Sequence, residues 1–493
     1  MFINDDRRPD MPNGIMYHTF TDMVSKMNQN KLILELARRS AAAGLLSNFD
    51  PKTQLPNWVP PFAYGDVARA SIASGTREGY EAIESIIDDY LHASIRIYLP
   101  NVEDLGEFGV HLNELRTMHI QGADQQTPFS RATSALALFS HTTVPDSPRI
   151  KVMRENWFES AMGVTVDEYF FIINSLSVMF RMGEGVLSLK ELASPTYEQA
   201  RRVVGIDKYV RVLSSLTISL EEFREIEARE RAGLEEGLQR LTHNPLRATP
   251  FISGITKGYV APVWQWIGAQ VSTSNLYYAL MKGAGDDFAS DLGLLFEEYV
   301  GRHARLLDKR AQPEIEYKEG KRLLKTTDWL IELDDVTMLV ECKSTRPDKH
   351  VQTADDHMLT FIAERVGKAV KQLNATHRVF GEVVPESMSR NTLHVGIILT
   401  MEPFYGVTST LGALGDITPE IPTAIINVRE FEALVTLGAS GASELLRRKS
   451  EEVDRQESNY FDLSEDLALV PQQDNPLLIE AWEATTLVKT LDL

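Results

Sequence analysis

Residues 326–343 read TTDWLIELDDVTMLVECK, and this stretch determines how the second half of the chain is interpreted. Short segments rich in apolar residues lie on both sides of Asp334-Asp335, which is typical of two strands joined by a tight turn. A two-residue turn also sets which residues pair across the hairpin. The predicted partners are Leu333 with Val336, Ile331 with Met338, and Trp329 with Val340.

The other face of this hairpin is charged. The same register places Asp328 opposite Glu341 and Thr326 opposite Lys343, and residues two apart on a strand point the same way. Opposed like charges destabilise a sheet, because their Cβ atoms lie only about 4.5–5.5 Å apart. A divalent cation would relieve this repulsion, and Mg²⁺ prefers oxygen ligands. The pattern therefore predicts a Mg²⁺ site, with Mn²⁺ as a substitute. The lysine beside it could polarise or deprotonate the attacking water, or stabilise the negative charge that develops on a phosphate.

A surface hairpin with solvated charges is the alternative. Leu330 and Leu339 share the charged face, and the opposite face is apolar throughout. Both faces should therefore be covered, which places the carboxylates in a cleft. Cys342 falls on the apolar face and is expected to be a buried small side chain rather than a nucleophile.

Asp328, followed after twelve residues by Glu341-Cys-Lys343, resembles the motif of the PD-(D/E)XK nuclease superfamily of restriction-enzyme-like and repair nucleases. Thr327 stands where the motif has proline. The superfamily core is a helix, a three-strand meander, a second helix and a further strand. The order predicted for roughly residues 285–440 matches it, with helices at 287–307 and 355–375 and strands at 314–319, 326–333, 336–343, 393–400 and 422–428.

The resemblance implies roles for these residues. Asp328, Glu341 and the backbone carbonyl of Cys342 would hold Mg²⁺, and Lys343 would assist the attacking water. Members of the superfamily often add an acidic residue from the first helix, to support the metal or the lysine. Glu297 is the predicted choice.

Glu297 is preferred to Glu298 because of their neighbours on the helix. Gly293 lies beside Glu297 and would allow close approach to the sheet. Glu298 is expected to pair with Arg302 at i+4 and to be solvated, on a face shared with Asp291.

Some members also use a glutamine or lysine of the second helix. Lys368 and Gln372 lie one turn apart at its edge, where they could reach a phosphate or simply form a solvated edge. Arg346 and Lys349, after the second strand, could contact a nucleic-acid backbone or be ordinary loop charges. All four are predicted nucleic-acid-binding residues.

The length of 493 residues indicates two or three domains. We expect an α+β, multidomain protein: a mostly helical domain of unknown role at 1–282, a restriction-endonuclease-like α/β domain with a central mixed sheet flanked by helices at 283–440, and a C-terminal helix with an acidic tail at 441–493.

The net charge is −20, which excludes a protein built to coat nucleic acid non-specifically. Residues 301–350 are locally balanced, with 11 basic and 10 acidic residues, so any nucleic-acid contact should use a local cleft. A single cysteine excludes an internal disulfide framework and a multi-cysteine zinc site. The polar N-terminus and the lack of a long apolar run predict a cytoplasmic protein without membrane contact.

The expected function is Mg²⁺-dependent hydrolysis of phosphodiester bonds, with DNA as the substrate and internal cleavage. The helical domain suggests regulated cutting and a homo-oligomer or partner protein, and bacterial defence against phage or foreign DNA is a context by analogy only. Two alternatives stay open: a catalytically silent nucleic-acid-binding module with the same fold, and an oligomeric sensor or scaffold.

Overall fold

The structure, a computed structural model, describes residues 15–43, 59–81, 83–97, 128–234, 236–344, 358–385, 391–404, 417–453 and 459–491. The chain forms two compact units, the first comprising residues up to 128 together with 162–279, and the second comprising 129–161 together with 280–493. Both units combine helices with a sheet, so the architecture is α+β and multidomain.

The helices and strands are as follows. The helices are α1 (Tyr17–Ser25), α2 (Gln29–Ala42), α3 (Pro61–Ser74), α4 (Glu84–Ile95), α5 (Pro128–Phe139), α6 (Trp157–Met162), α7 (Val166–Met182), α8 (Leu189–Leu192), α9 (Glu198–Val204), α10 (Ile206–Ser215), α11 (Leu220–Arg231), α12 (Gln265–Gly268), α13 (Thr273–Leu307, kinked at Gly285), α14 (Met358–Val383), α15 (Val428–Thr436), α16 (Gly438–Val453), α17 (Ser464–Ala468), α18 (Pro476–Glu483) and α19 (Thr486–Leu491). The strands are β1 (Val186–Leu187), β2 (Thr217–Ser219), β3 (Phe251–Ser253), β4 (Tyr259–Val260), β5 (Gln312–Pro313), β6 (Glu316–Glu319), β7 (Arg322–Lys325), β8 (Trp329–Glu332), β9 (Val336–Lys343), β10 (Leu393–Thr400), β11 (Thr423–Asn427) and β12 (Tyr460–Phe461). Among the described helices, none is both long and apolar enough to cross a lipid bilayer.

The first unit is largely helical, and it adds a small sheet of order β1-β4-β3-β2. Its interior contains a buried ion pair: Arg69, 1% exposed, donates from Nε to Glu227 Oε1 at 2.5 Å. The same guanidinium donates to the carbonyl oxygens of Arg240 and Thr242, which ties α3 to the chain that follows α11. Removal of either partner would leave an uncompensated buried charge, which is strongly destabilising.

The second unit is built on a six-stranded mixed sheet of order β12-β11-β10-β9-β8-β5. Strands β9 to β12 are parallel to one another, whereas β8 is antiparallel to both β9 and β5. The observed register of β8 and β9 pairs Trp329 with Val340 and Ile331 with Met338, which confirms the predicted hairpin. Every residue of β8 and all but the last of β9 are buried, so both faces of the hairpin are covered.

The predicted three-strand meander is wrong in its first strand. The segment expected as that strand forms β6, which pairs with β7 in a separate two-stranded sheet. Gly320 adopts φ +61 in the turn between them, a left-handed conformation that glycine accepts readily. Neither β6 nor β7 contains a fully buried residue, so neither strand is suited to a central sheet. The short β5 occupies the sheet edge instead.

The expected limit at 282 lies close to the observed boundary between residues 279 and 280, but the division of the chain differs from the expectation elsewhere. Residues 129–161 belong to the second unit, as do α16 and the acidic C-terminal region, whose β12 extends the sheet. Buried hydrogen bonds explain why the earlier segment lies there. The Ser134 hydroxyl of α5 and the Tyr299 hydroxyl of α13 donate to the two carboxylate oxygens of Glu432, at 2.8 and 2.5 Å.

Two glycines allow helix α13 to approach the hairpin closely. A Cβ atom at Gly301 would overlap the indole ring of Trp329, and one at Gly293 would lie 3.3 Å from Ser344 Oγ. Residues four apart share one helix face, so Glu297 lies on the stripe between these glycines. The Trp329 indole N–H donates to the Glu297 carbonyl at 2.9 Å, which fixes the helix against β8.

We predict that Gly301→Ala destabilises the protein although alanine favours helix formation by about 1 kcal/mol. Trp329 is buried, so it cannot move away freely, and overpacking typically costs about 1–3 kcal/mol. Gly381 of α14 is the matched control, since no described atom lies within 4 Å of a Cβ built there. Thermal unfolding should show a lowered midpoint for Gly301→Ala and an unchanged or raised one for Gly381→Ala. Equal midpoints would contradict the close-approach argument.

A second prediction concerns pH. Burial raises the pKa of Glu432 from 4.5 to about 7, although hydrogen bonds from Tyr299 and Ser134 oppose this. The folded protein therefore keeps a proton that the unfolded chain releases, and stability falls as pH rises from about 4.5 to about 7. Glu432→Gln should remove this loss of stability. The difference in thermal unfolding midpoint between Glu432→Gln and wild type should therefore rise across that pH range. Glu483 is exposed, so Glu483→Gln should show no such trend. If the curves of unfolding midpoint against pH were parallel for Glu432→Gln and wild type, the prediction would be refuted.

Candidate active site

Asp328 is fixed by the two threonines before it. Thr326 and Thr327 are both fully buried. The Thr326 N–H donates to the Ile315 carbonyl at 3.0 Å, and its hydroxyl accepts from the Ile315 N–H at 2.8 Å. Gln372 of α14 donates to the Thr326 carbonyl at 2.9 Å. The chain thus enters β8 in a single arrangement, which determines where the Asp328 carboxylate lies.

Thr327 shows why proline is absent from this position. Its backbone N–H donates to Thr376 Oγ1 at 2.9 Å, a bond between the start of β8 and α14. Proline has no N–H and could not make this bond. A threonine at this position therefore has a local structural reason.

The Asp328 carboxylate continues the hairpin where the strand pairing ends. Strand β8 begins one residue later, and the Cys342 N–H donates to Asp328 Oδ2 at 2.7 Å. Asp328 thus lies beside the end of β9, as the register predicts. Burial raises the pKa of Asp328 above its ordinary value, and the Cys342 N–H opposes that shift.

Glu341 is the most buried acid of the group, with 2% of its surface exposed. Its Oε1 accepts from Lys343 Nζ at 2.5 Å, while its Oε2 has no hydrogen-bond partner among the described residues. Burial raises the pKa of Glu341 to about 8, and the Asp328 charge adds to the shift. A buried carboxylate oxygen without a partner is costly, so this atom needs an explanation.

Lys343 points the same way as Glu341 and is half-buried. Burial acts to lower its pKa, but the charge and hydrogen bond of Glu341 outweigh that effect and the pKa is raised. Lys343 is therefore an ammonium. Of the two roles predicted for it, the arrangement favours charge stabilisation and polarisation of water over proton abstraction.

Glu297 joins the same group of charges. Burial raises its pKa to about 7, and the Asp328 carboxylate contributes in the same direction. The expected pair of Glu298 with Arg302 does not form among the described residues, because the Arg302 guanidinium reaches the Ala137 carbonyl and Glu480 instead. The solvated face expected for Asp291 is also wrong, since Asp291 is fully buried.

The acidic side chains of the site offer few ligands to a metal ion. Among the described residues, no three His, Cys, Asp or Glu side chains converge closely enough to hold an ion. A cation here would therefore rest on the carboxylates of Asp328 and Glu341, and the remaining ligands would be backbone, water and substrate oxygens, as Mg²⁺ commonly has. The unpartnered Glu341 Oε2 and the concentrated negative charge fit such an ion.

The other predicted residues are placed as follows. Gln372 uses its amide to hold Thr326, and Lys368 is exposed one turn away on α14. Arg346 and Lys349 lie outside the described residues. The predicted pair of Thr326 with Lys343 does not form, because the ladder between β8 and β9 starts only at Trp329 and Val340 and the Thr326 N–H donates to Ile315 instead. Cys342 is buried, and burial raises the pKa of its thiol well above the ordinary value, as expected for an inert side chain.

Three charged residues near the site were not predicted from the sequence. Glu314 forms an ion pair with Lys325, and its charge helps to raise the pKa values of Glu297 and Asp328. The positive charge of Arg149 acts to lower the pKa of Glu297. The Glu314–Lys325 pair was detectable in principle, since the two residues flank the β6–β7 hairpin. No sequence signal points to Arg149, which is far away along the chain.

We predict that Thr376→Val lowers stability by about 1–3 kcal/mol, because it leaves the buried Thr327 N–H without an acceptor. Thr376→Ser keeps the hydroxyl and is the matched control. Chemical denaturation of both variants measures the difference. A Thr376→Val protein as stable as Thr376→Ser would show that the bond does not hold the start of β8.

Comparison of the chain with protein-family models, with curated proteins and with solved structures finds no match.

Proposed function

We propose that the second unit is a divalent-metal-dependent nuclease that hydrolyses phosphodiester bonds, with DNA as the expected substrate. The observation that carries the proposal is the buried carboxylate of Glu341, beside Asp328 and with one oxygen left without a partner. Both carboxylates and the ammonium of Lys343 lie at the same end of one hairpin. This is the chemistry needed to activate water beside a phosphodiester.

The order of elements also supports placing this unit with the PD-(D/E)XK nucleases. Helix α13, the β8–β9 hairpin, helix α14 and strand β10 follow one another as that fold requires, and α14 packs against β9 and β10. The edge strand of the meander would be the short β5. A homo-oligomer or partner protein, a role in defence and internal cleavage stay predictions.

In the proposed reaction, water attacks phosphorus, one P–O ester bond breaks, and the products are a phosphate monoester and a free hydroxyl. Asp328, the Glu341 Oε2 atom and the Cys342 carbonyl would hold Mg²⁺, which supplies Lewis-acid polarisation when bound. Lys343 has three donor hydrogens, so it can keep its bond to Glu341 and also donate to the phosphate. Its positive charge would stabilise the negative charge that develops there.

Cleavage assays test the proposal. The full chain should cut plasmid, linear duplex, single-stranded DNA or RNA with Mg²⁺ or Mn²⁺, and EDTA should stop it. Lys343→Ala and Glu341→Gln should each lower the rate at least about 100-fold. Glu332→Gln is the matched control, since Glu332 is also a buried acid of the hairpin but pairs with Arg310 at the other end.

A binding measurement separates metal affinity from activity. Mg²⁺ should raise the unfolding midpoint of wild type but not that of Glu341→Gln, because a ligand stabilises only the state that binds it. Cutting by Lys343→Ala at the wild-type rate would end the proposed mechanism. No cutting by wild type on any substrate would favour a silent binding module or scaffold.

A further inference from the structure

The segment 129–161 reaches the second unit from the first half of the chain and is clamped there by Asp291. This carboxylate is fully buried. It accepts from the backbone N–H groups of Lys151, at 3.0 Å to each oxygen, Val152, at 2.6 Å, and Met153, at 2.9 Å. Asp291 and Glu297 lie on the same helix, α13, so the clamp holds this segment in place relative to the candidate site.

Arg149 lies two residues before the clamp. Ile150, next to it, is buried, whereas Arg149 is exposed. A buried neighbour and a clamped backbone fix where the Arg149 backbone lies. The positive charge of Arg149 acts to lower the pKa of Glu297, against the effect of burial, and it acts to lower the pKa of Lys325 as well. The clamp lies close to the site, because a Cβ atom at Gly293, two residues after Asp291, would be 3.3 Å from Ser344 Oγ, next to Lys343. Arg149 is thus anchored where α13 meets the end of β9.

Arg149 also differs from the other cations around these acids. Lys343 is bonded to Glu341, and Lys325 is paired with Glu314. The Arg149 side chain makes no ion pair and no hydrogen bond with the described residues; only its backbone N–H does, to Ser147. An exposed guanidinium with its donors free, next to a site of negative charge, is suited to binding the oxygens of a phosphate, which it can contact in bidentate fashion.

We propose that Arg149 binds a backbone phosphate of the nucleic acid, next to the scissile one, and that residues 129–161 are thereby part of the substrate-binding surface. The inference rests on the proposed nuclease function and extends it to a contact supplied from the first half of the chain. The chain belongs to the first unit on both sides of this segment, before residue 129 and after 161. Substrate binding by the second unit thus depends on residues 129–161, which are joined to the first unit at both ends.

The experiment measures binding and cleavage by the full chain. Fluorescence anisotropy follows a labelled DNA duplex, and separately the RNA duplex of the same sequence, with Ca²⁺ replacing Mg²⁺ and at several salt concentrations. Arg149→Ala should weaken binding about tenfold. The slope of log affinity against log salt should fall by about one, because one phosphate contact is lost. Arg149→Lys should keep the slope and recover part of the affinity.

Arg154→Ala is the matched control, since Arg154 is an exposed arginine of the same segment on the other side of the clamp. It should bind within about twofold of wild type, as a surface charge away from the contact. If wild type binds and cuts but Arg149→Ala matches Arg154→Ala, this inference fails and the nuclease proposal stands. Weakened binding with an unchanged salt slope would indicate a structural effect and would also overturn it. If wild type neither binds nor cuts, both proposals fall.

Discussion

The antiparallel register of β8 and β9 is the constraint on which the site depends. Because side chains alternate across a strand, a slip of one residue in β9 would turn Glu341 and Lys343 to the opposite face of the sheet, away from Asp328. The Asp334-Asp335 turn sets this register, and α16 holds the turn in place: Ser443 accepts from the Asp335 N–H at 3.0 Å, and Ser440 donates to Asp334. Trp329, packed against Gly301, secures the same strand to α13.

The same register forces an unfavourable burial. Glu341, Asp328 and Glu297 gather where solvent is scarce, and Lys343 supplies the nearest compensating charge. A core chosen for stability alone would carry apolar residues at such positions, since buried charges cost more than their pairing usually returns. Local conflict of this kind within an otherwise consistent fold is typical of functional sites. The buried bonds around Thr326 and Thr327 show that the surrounding backbone is held firmly enough to maintain it.

The two units are interleaved along the chain, and this affects how the protein can be divided. A cut near residue 282 would separate Asp291 from the backbone N–H groups of residues 151–153 and Glu432 from Ser134. Each separation would leave a buried carboxylate with fewer donors, which is costly. The second unit is therefore complete only with residues 129–161, and any contribution of Arg149 to the site depends on them.

The sequence by itself determined the hairpin, its register, the burial of both faces and the grouping of Asp328, Glu341 and Lys343, because alternation and a two-residue turn are local properties. It also indicated Glu297, through the small residues around it. Only the tertiary structure decided that β6 leaves the sheet, that Gln372 and Thr376 hold the strand entrance, and that Arg149 arrives from a distant segment. Those outcomes depend on hydrogen bonds and close packing between residues far apart along the chain, which no local periodicity records.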